Sequence, residues 1–334
     1  MVLVSKRKAR IEAVKVGIPR SLFYFYYYPL WKTFFEGLGA TVVTSSWTNR
    51  QTVERGLRTA VDEACFPIKV CFGHVQELCH AELDCIFIPR LVSIEERSYI
   101  CPKFMGLPDM VRASLPNLPE IIDITIDLSR NGRTLEKDLL RLGRRFSQNI
   151  AVTRRAYRDG LAEWRRCRQW CRHGYTMAEA IRLWDGERIT QPAANGLNIG
   201  VLGHAYSLYD RMISMSLVDR LRQLGCQVQV VENLEQAAVE AKAGEIPKRV
   251  FWTLGRKAVG GALLLDSQPE VDGIVYLACF GCGPDSMVGE IISRKVLSKP
   301  FMMLTIDEHT GEAGLVTRLE AFCDMLQLRK AASL

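Results

Sequence analysis

Three stretches of this chain place cysteines where a thiol can do more than pack. Cys65-Phe66-Pro67 stands just before a helical pattern running from about Ile68 to His80. Cys101-Pro102 follows the apolar run Asp84 to Pro89 by a loop and precedes a helical pattern around Leu107 to Ala113. Cys279-Phe280-Gly281-Cys282-Gly283-Pro284-Asp285-Ser286 follows the apolar run Val271 to Ala278 and opens another helix. Thiolates bind iron, and the free N–H groups and positive dipole end of a helix favour an anionic iron–sulfur cluster. Proline beside a cysteine stiffens the loop and removes a competing donor. Gly281 and Gly283 let the backbone approach a bulky inorganic core, and Phe66 and Phe280 would limit water. Cys279-x-x-Cys282 alone equally suits half a zinc site or a thioredoxin-type redox pair. A zinc knuckle would bring a second close pair, which the sequence lacks, and a thioredoxin motif belongs at the end of the first strand of a much smaller domain.

The other cysteines divide by context. Cys71 lies six residues beyond Cys65, about one turn into the same helix, so its sulfur could reach the same crevice or join the core in line with Val75. Cys79, Cys85, Cys226 and Cys323 sit inside apolar runs and read as packing. Cys167 and Cys171 are spaced i, i+4 with no other ligand type nearby and read as structural. Among polar residues, Asp307, Glu308, His309 and Glu312 follow the last apolar run. His309 and Glu312 are candidates for acid–base catalysis or proton delivery to a reduced site; the plainer reading has Asp307 and Glu312 capping the next helix, Gly314 to Met325. His204 and Arg20 occupy equivalent places after the first strand of two similar segments and would face a shared cleft. The aromatic run Phe23 to Tyr28 reads as packing or a partner surface.

Those similar segments are the elements that must position the thiols. Val14 to Pro19, a helical stretch and Leu38 to Val43 match Leu197 to Leu202, a helical stretch and Leu224 to Val230 in order. Each is a β-branched run with a glycine, about five helical turns, a Leu-Gly stop and a second apolar run, the pattern of a β-α-β unit. Asp84 to Pro89 and Ile121 to Ile126 add strands to the first copy, Val271 to Ala278 and Pro300 to Ile306 to the second. Their near-continuous apolar character predicts strands covered on both faces, as in an open parallel sheet. Thr134 to about His173 has one helical periodicity with arginines on its outer side, and Gly174 and Gln191 to Gly196 punctuate the approach to the second copy. The expected organisation is a first α/β lobe over 1–133, bridging helices over 134–196 and a second α/β lobe over 197–334. Cysteines at the carboxyl ends of strands and the starts of helices fall where open α/β sheets bind ligands.

With 334 residues, 48% of them hydrophobic and 24% charged, the chain has ample material for buried cores and does not read as disordered. No run approaches the length of a membrane-spanning helix. Met1 to Arg10 is basic without the apolar stretch of a signal peptide, so a cytoplasmic protein is expected. Eleven cysteines, an odd number, argue against a disulfide framework in that setting. The net charge of +7 is concentrated between Arg141 and Arg172 and reads as a solvated helix face rather than a nucleic-acid site.

Val16 to Arg20, Cys65-Phe66-Pro67-Ile68-Lys69, Gly73-His74-Val75, Cys101-Pro102, Gly203-His204, Phe280 to Asp285 and Thr305 to Gly314 together resemble the acyl-CoA dehydratase activase-related proteins. These are relatives of the 2-hydroxyacyl-CoA dehydratase subunits and the double-cubane cluster proteins, and the resemblance spans roughly residues 14–328. It implies two flavodoxin-like lobes with parallel sheets, joined by long helices, enclosing an iron–sulfur cluster in the inter-lobe cleft. In dehydratase subunits three cysteines hold a 4Fe–4S cluster with one open iron; the matching positions are Cys65, Cys101 and Cys282. An ATP-dependent activase, itself an iron–sulfur protein, supplies a low-potential electron that makes a ketyl radical from a 2-hydroxyacyl-CoA. In double-cubane proteins further cysteines hold a second cubane, a role open to Cys279 and Cys71. The implied function is an iron–sulfur redox protein of anaerobic metabolism, dehydratase-like or a reductase component, pairing with a related subunit as a homo- or hetero-dimer. The alternatives are a non-catalytic electron-transfer or scaffold subunit, and a cluster-free two-lobed binder of small molecules. The chain is shorter than typical dehydratase subunits and nothing in it marks a site for the CoA moiety, so no substrate is implied.

Overall fold

Short β-branched runs alternating with helices build two parallel sheets of the same strand order. The computed structural model describes residues 13–129, 133–190 and 196–332. The basic segment Met1 to Arg10 and the punctuation at 191–195 lie outside the described residues. The first lobe runs β1 (Lys15–Ile18), α1 (Tyr24–Gly37), β2 (Thr41–Thr44), α2 (Arg50–Thr59), α3 (Phe66–Cys79), β3 (Cys85–Phe87), β4 (Arg90–Ser93), α4 (Pro102–Ser114), β5 (Glu120–Ile122) and β6 (Thr125–Asp127). Then come α5 (Arg133–Gly143), α6 (Ile150–Arg172) and α7 (Met177–Trp184). The second lobe runs β7 (Asn198–Gly203), α8 (Ala205–Leu208), α9 (Leu217–Gln223), β8 (Gln227–Val230), α10 (Gln236–Gly244), α11 (Thr253–Ser267), β9 (Gly273–Cys279), α12 (Gly283–Lys295), β10 (Phe301–Ile306) and α13 (Glu312–Ala332).

The sheets are ordered β2-β1-β3-β5 and β8-β7-β9-β10, so each lobe places its second strand, first strand, third strand and last strand side by side. All pairings are parallel, with Val16 opposite both Val42 and Cys85, and Ile199 opposite both Val228 and Gly273. This is the flavodoxin-like α/β order, whose switch point falls between the first and third strands. Every residue of β9 is buried, as expected of a central strand covered on both faces. The Leu-Gly stops do what the repeat requires: Gly39 and Gly225 take φ of +86° and +80°, the left-handed region that ends a helix most cheaply with glycine.

Two expected elements divide. The run Ile121 to Ile126 is not one strand: β5 belongs to the main sheet, whereas β6 pairs with β4 in a separate two-stranded sheet. Asp123, between them, turns its carboxylate to Arg112 at 2.9 Å instead of continuing the strand. The periodicity from Thr134 to His173 is also broken, because Asn149 caps a new helix by accepting the N–H of Ala151. The second piece, α6, lies along α1, with Trp164 Nε1 donating to the Tyr26 carbonyl at 2.7 Å. Its far end meets the second lobe, where Asn233 Nδ2 donates to the carbonyls of Cys171 and Tyr175. Thus α6 touches both lobes.

The helix that carries Cys65 is fixed by a close crossing. At the crossing of α2 and α3, Gly56 faces the Lys69 carbonyl and Gly73 faces the Thr52 carbonyl; a Cβ on either would lie 2.0 Å and 1.9 Å from those oxygens. Both contacts are with backbone, so neither can move without separating the helices. Gly73→Ala is expected to lower stability by about 3 kcal/mol, the upper range of overpacking. Gly106→Ala, in α4 with open space around it, should be neutral or stabilising by up to about 1 kcal/mol. Denaturant midpoints of the two variants against the parent check this; equal midpoints would mean α2 and α3 do not cross so closely.

Candidate functional site

Cys65, Cys101 and Cys282 each occupy the residue preceding a helix, α3, α4 and α12, and each of these helices has proline in its first turn, at Pro67, Pro102 and Pro284. The first two helices belong to the first lobe and the third to the second. All three start at the carboxyl edge of their sheet, because each leads into the next parallel strand. The structure brings the thiols within electrostatic reach of one another: Cys65 feels Cys101 and Asp285, and Cys282 feels Cys65 and Cys279. Burial pushes all of their pKa values up. None of the three sulfurs completes a capping hydrogen bond. The backbone N–H groups of Ile68, Lys103 and Asp285 still lie near enough to oppose burial at Cys65, Cys101 and Cys282 respectively. Two half-buried thiols and one buried one, Cys282, at three helix starts with N–H groups around them form a place suited to anionic sulfur once a cation shares it.

A buried polar group lies beside Cys282. His204 Nε2 is 2.9 Å from Asp285 Oδ1, which also accepts the Tyr276 hydroxyl at 2.9 Å, while Asp285 Oδ2 accepts the Cys279 N–H at 3.3 Å. Burial pushes the Asp285 carboxyl up, but His204 and these donors outweigh it and hold it below the usual range. Ligand atoms of His204, Cys282 and Asp285 all lie within 4.8 Å of one another, close enough for a metal ion. With His204, Tyr276 and the Cys279 amide already on it, Asp285 serves better to orient His204 against Cys282 than to bind metal itself. Tyr206 closes the other side. Its pKa is driven well up by burial and then by Cys282, Asp285 and Cys65, and its ring lies 5.0 Å from His204 and 5.6 Å from Phe104. The lobes are tied next to these groups, since Tyr26 Oη accepts the Ala205 N–H at 2.9 Å and Lys69 Nζ reaches Glu308 Oε1 at 2.5 Å.

The remaining candidates fall in different places. The buried Cys279 thiol donates to Ser207 Oγ at 3.3 Å, within the second lobe. Cys71 is turned into a small apolar cavity with Ser21, Leu22, Phe87 and Leu107, and burial pushes its thiol up to about 11. In the 307–312 segment it is Glu308 that turns towards the first lobe. His309 is exposed, its N–H held by Asp307 Oδ1, and Glu312 starts α13 and pairs with Arg220 of α9. Arg20 donates to Thr44 Oγ1 and lies over the Trp47 ring at 4.3 Å. Sequence reasoning passed over Asp285, Tyr206 and the Lys69–Glu308 pair. Lys69 and Asp285 stand inside the cysteine motifs themselves, which was the signal available.

The family described as CoA enzyme activase uncharacterised domain matches residues 15–234, two thirds of the chain and the whole of the first lobe. No curated protein matches the chain. No helix among the described residues is long and apolar enough to cross a membrane.

Proposed function

We propose a function that starts from one fact: the chain belongs to the family described as CoA enzyme activase uncharacterised domain. On our reading it is an iron–sulfur redox protein related to the 2-hydroxyacyl-CoA dehydratase subunits. Cys65, Cys101 and Cys282 would hold the cluster, and an ATP-dependent activase would supply it with low-potential electrons. The observation that carries this reading is the approach of three helix-start thiols from two lobes to one another, with N–H groups around them and no disulfide among them. When bound, a cubane supplies one-electron chemistry at low potential.

The chain's own residues do the rest. Tyr206 and Phe104 exclude water from the thiols, and Lys69 with Glu308 keeps the first lobe's Cys65 against the second lobe. His204, oriented by Asp285, holds a proton at Nε2 beside Cys282. Because the Cys279 thiol is engaged by Ser207, three thiolates and an open iron fit better than four, which favours a catalytic component over a pure relay. Anaerobic purification with iron, sulfide and EPR analysis tests the reading. About four iron and four sulfide per chain are expected. A colourless, iron-free protein would overturn it in favour of a two-lobed small-molecule binder, and stoichiometric zinc would favour a single ion beside His204 and Cys282.

A further inference from the structure

We propose that Cys226 and Cys323 form a reversible disulfide, a thiol modification site in the second lobe separate from Cys65, Cys101 and Cys282. Cys226 leads into β8 and Cys323 lies midway along α13. Though 97 positions apart, their sulfurs stand 3.7 Å from each other. Both side chains are buried, at 1% and 3% exposure, so the pair is held in place by the packing around it. A disulfide needs its sulfurs about 2.05 Å apart, so the bond requires roughly 1.7 Å of approach. Two other buried thiols have different neighbours: Cys171 meets the Met177 thioether and Cys71 lies beside Ser21.

Of the two buried thiols it is Cys226 that borders open space, which points to it as the attacking group. It borders a polar cavity of about 500 Å³ whose walls include Arg222, Gln227, Gln229 and Asn233, wide enough for a peroxide. Either thiol can donate across this contact; a hydrogen bond from Cys323 favours the Cys226 thiolate, against burial and Asp272, which oppose it. Thiolate character and access are what select a cysteine for oxidation. With hydrogen peroxide, Cys226 sulfur attacks one oxygen, the O–O bond breaks, and a sulfenic acid and one water result. Cys323 sulfur then attacks the Cys226 sulfur, displacing a second water and closing the disulfide. The two thiols lose two electrons and two protons, and the peroxide takes both. A dithiol reductant reverses the bond. The cross-link would fasten α13 to the strand beside it, next to the existing tie between Lys330 and Asp272.

The test treats the protein, purified anaerobically, with one equivalent of hydrogen peroxide, alkylates the remaining thiols and maps tryptic peptides. Cleavage isolates each cysteine in its own peptide, 223–242 and 319–329. A linked pair of these two peptides, lighter by two hydrogens than their sum, should form in most molecules and separate on dithiothreitol treatment. It should persist in Cys85→Ser and vanish in Cys323→Ser, where Cys226 should instead be trapped as sulfenic acid by dimedone. Recovery of both peptides singly alkylated from the peroxide-treated parent protein, or linkage of either to a different cysteine, would overturn the proposal.

Discussion

Cys282→Ala is expected to retain less than about a tenth of the parent's iron after anaerobic purification, a loss in line with removing one thiolate from a cysteine-ligated site. Cys65→Ala and Cys101→Ala should behave alike, because each removes a thiol at the start of a different helix and the set is shared between lobes. Cys85→Ala and Cys167→Ala should keep iron at the parent's level, since both side chains are buried in the core. Asp285→Asn should fall between these limits. It keeps a polar group near the Cys279 N–H and Tyr276 but weakens the hold on His204, so iron should bind with an altered EPR signal rather than vanish. Iron by mass spectrometry and EPR of the reduced protein read all of this. Undiminished iron in any of the three single-cysteine variants would remove that residue from the ligand set. Undiminished iron in all three would end the reading.

Much of the scaffold was legible because central strands such as β9 are covered on both faces and read as unbroken apolar runs, while the edge strand β10, expected to be covered on both faces, leaves Met303 and Thr305 exposed. The repeat of Val14 to Val43 and Leu197 to Val230 carried the parallel topology, since a short strand, a helix and a second strand can close only through a crossover. The failures were local. β4 and β6 are three or four residues long and pair only with each other, too short for any period to register. The split of α5 from α6 rests on one cap, Asn149, within an amphipathic pattern that otherwise runs on. The cysteines stood out by residue type, whereas Tyr206 and Glu308 gain their roles only when the lobes meet, and Asp285 only when the second lobe folds His204 and Tyr276 onto it. Lys69 and Glu308 are 239 positions apart, a separation across which no periodicity speaks. His309 and Glu312 looked chemical by type, yet the loop turns its other carboxylate inward.

Stability is expected to fall as pH drops from 6.5 towards 4, and His74 is the cause. The ring is fully buried, with Nδ1 2.9 Å from Ser45 Oγ and Nε2 2.9 Å from Thr48 Oγ1. Thr48 gives its own hydrogen to the Asp210 carboxylate of the second lobe, so it accepts from His74 Nε2–H, and Nδ1 accepts from Ser45. That chain runs in one direction only while His74 is neutral. Burial, with Arg20 nearby, lowers its pKa from 6.5 to about 3. Between those values the unfolded chain binds a proton that the folded one refuses, so stability is full above pH 6.5 and is lost as pH falls. By pH 5 the loss from His74 alone is about 2 kcal/mol. Asp210 acts in the opposite sense. Burial raises its pKa from 3.8 to about 6, so the folded state gains on acidification across that narrower window. The shift at His74 is larger, 3.5 pH units against 2.2, so the net effect is acid sensitivity, smaller than His74 alone would give. His74→Gln should start less stable at pH 7 yet lose less on acidification, its denaturant midpoint converging with the parent's by pH 5. Asp210→Asn should steepen the parent's decline by removing the opposing group. Parallel midpoint-against-pH curves for His74→Gln and the parent would mean that the ring titrates freely in the folded protein and that the Ser45–His74–Thr48–Asp210 chain does not join the lobes.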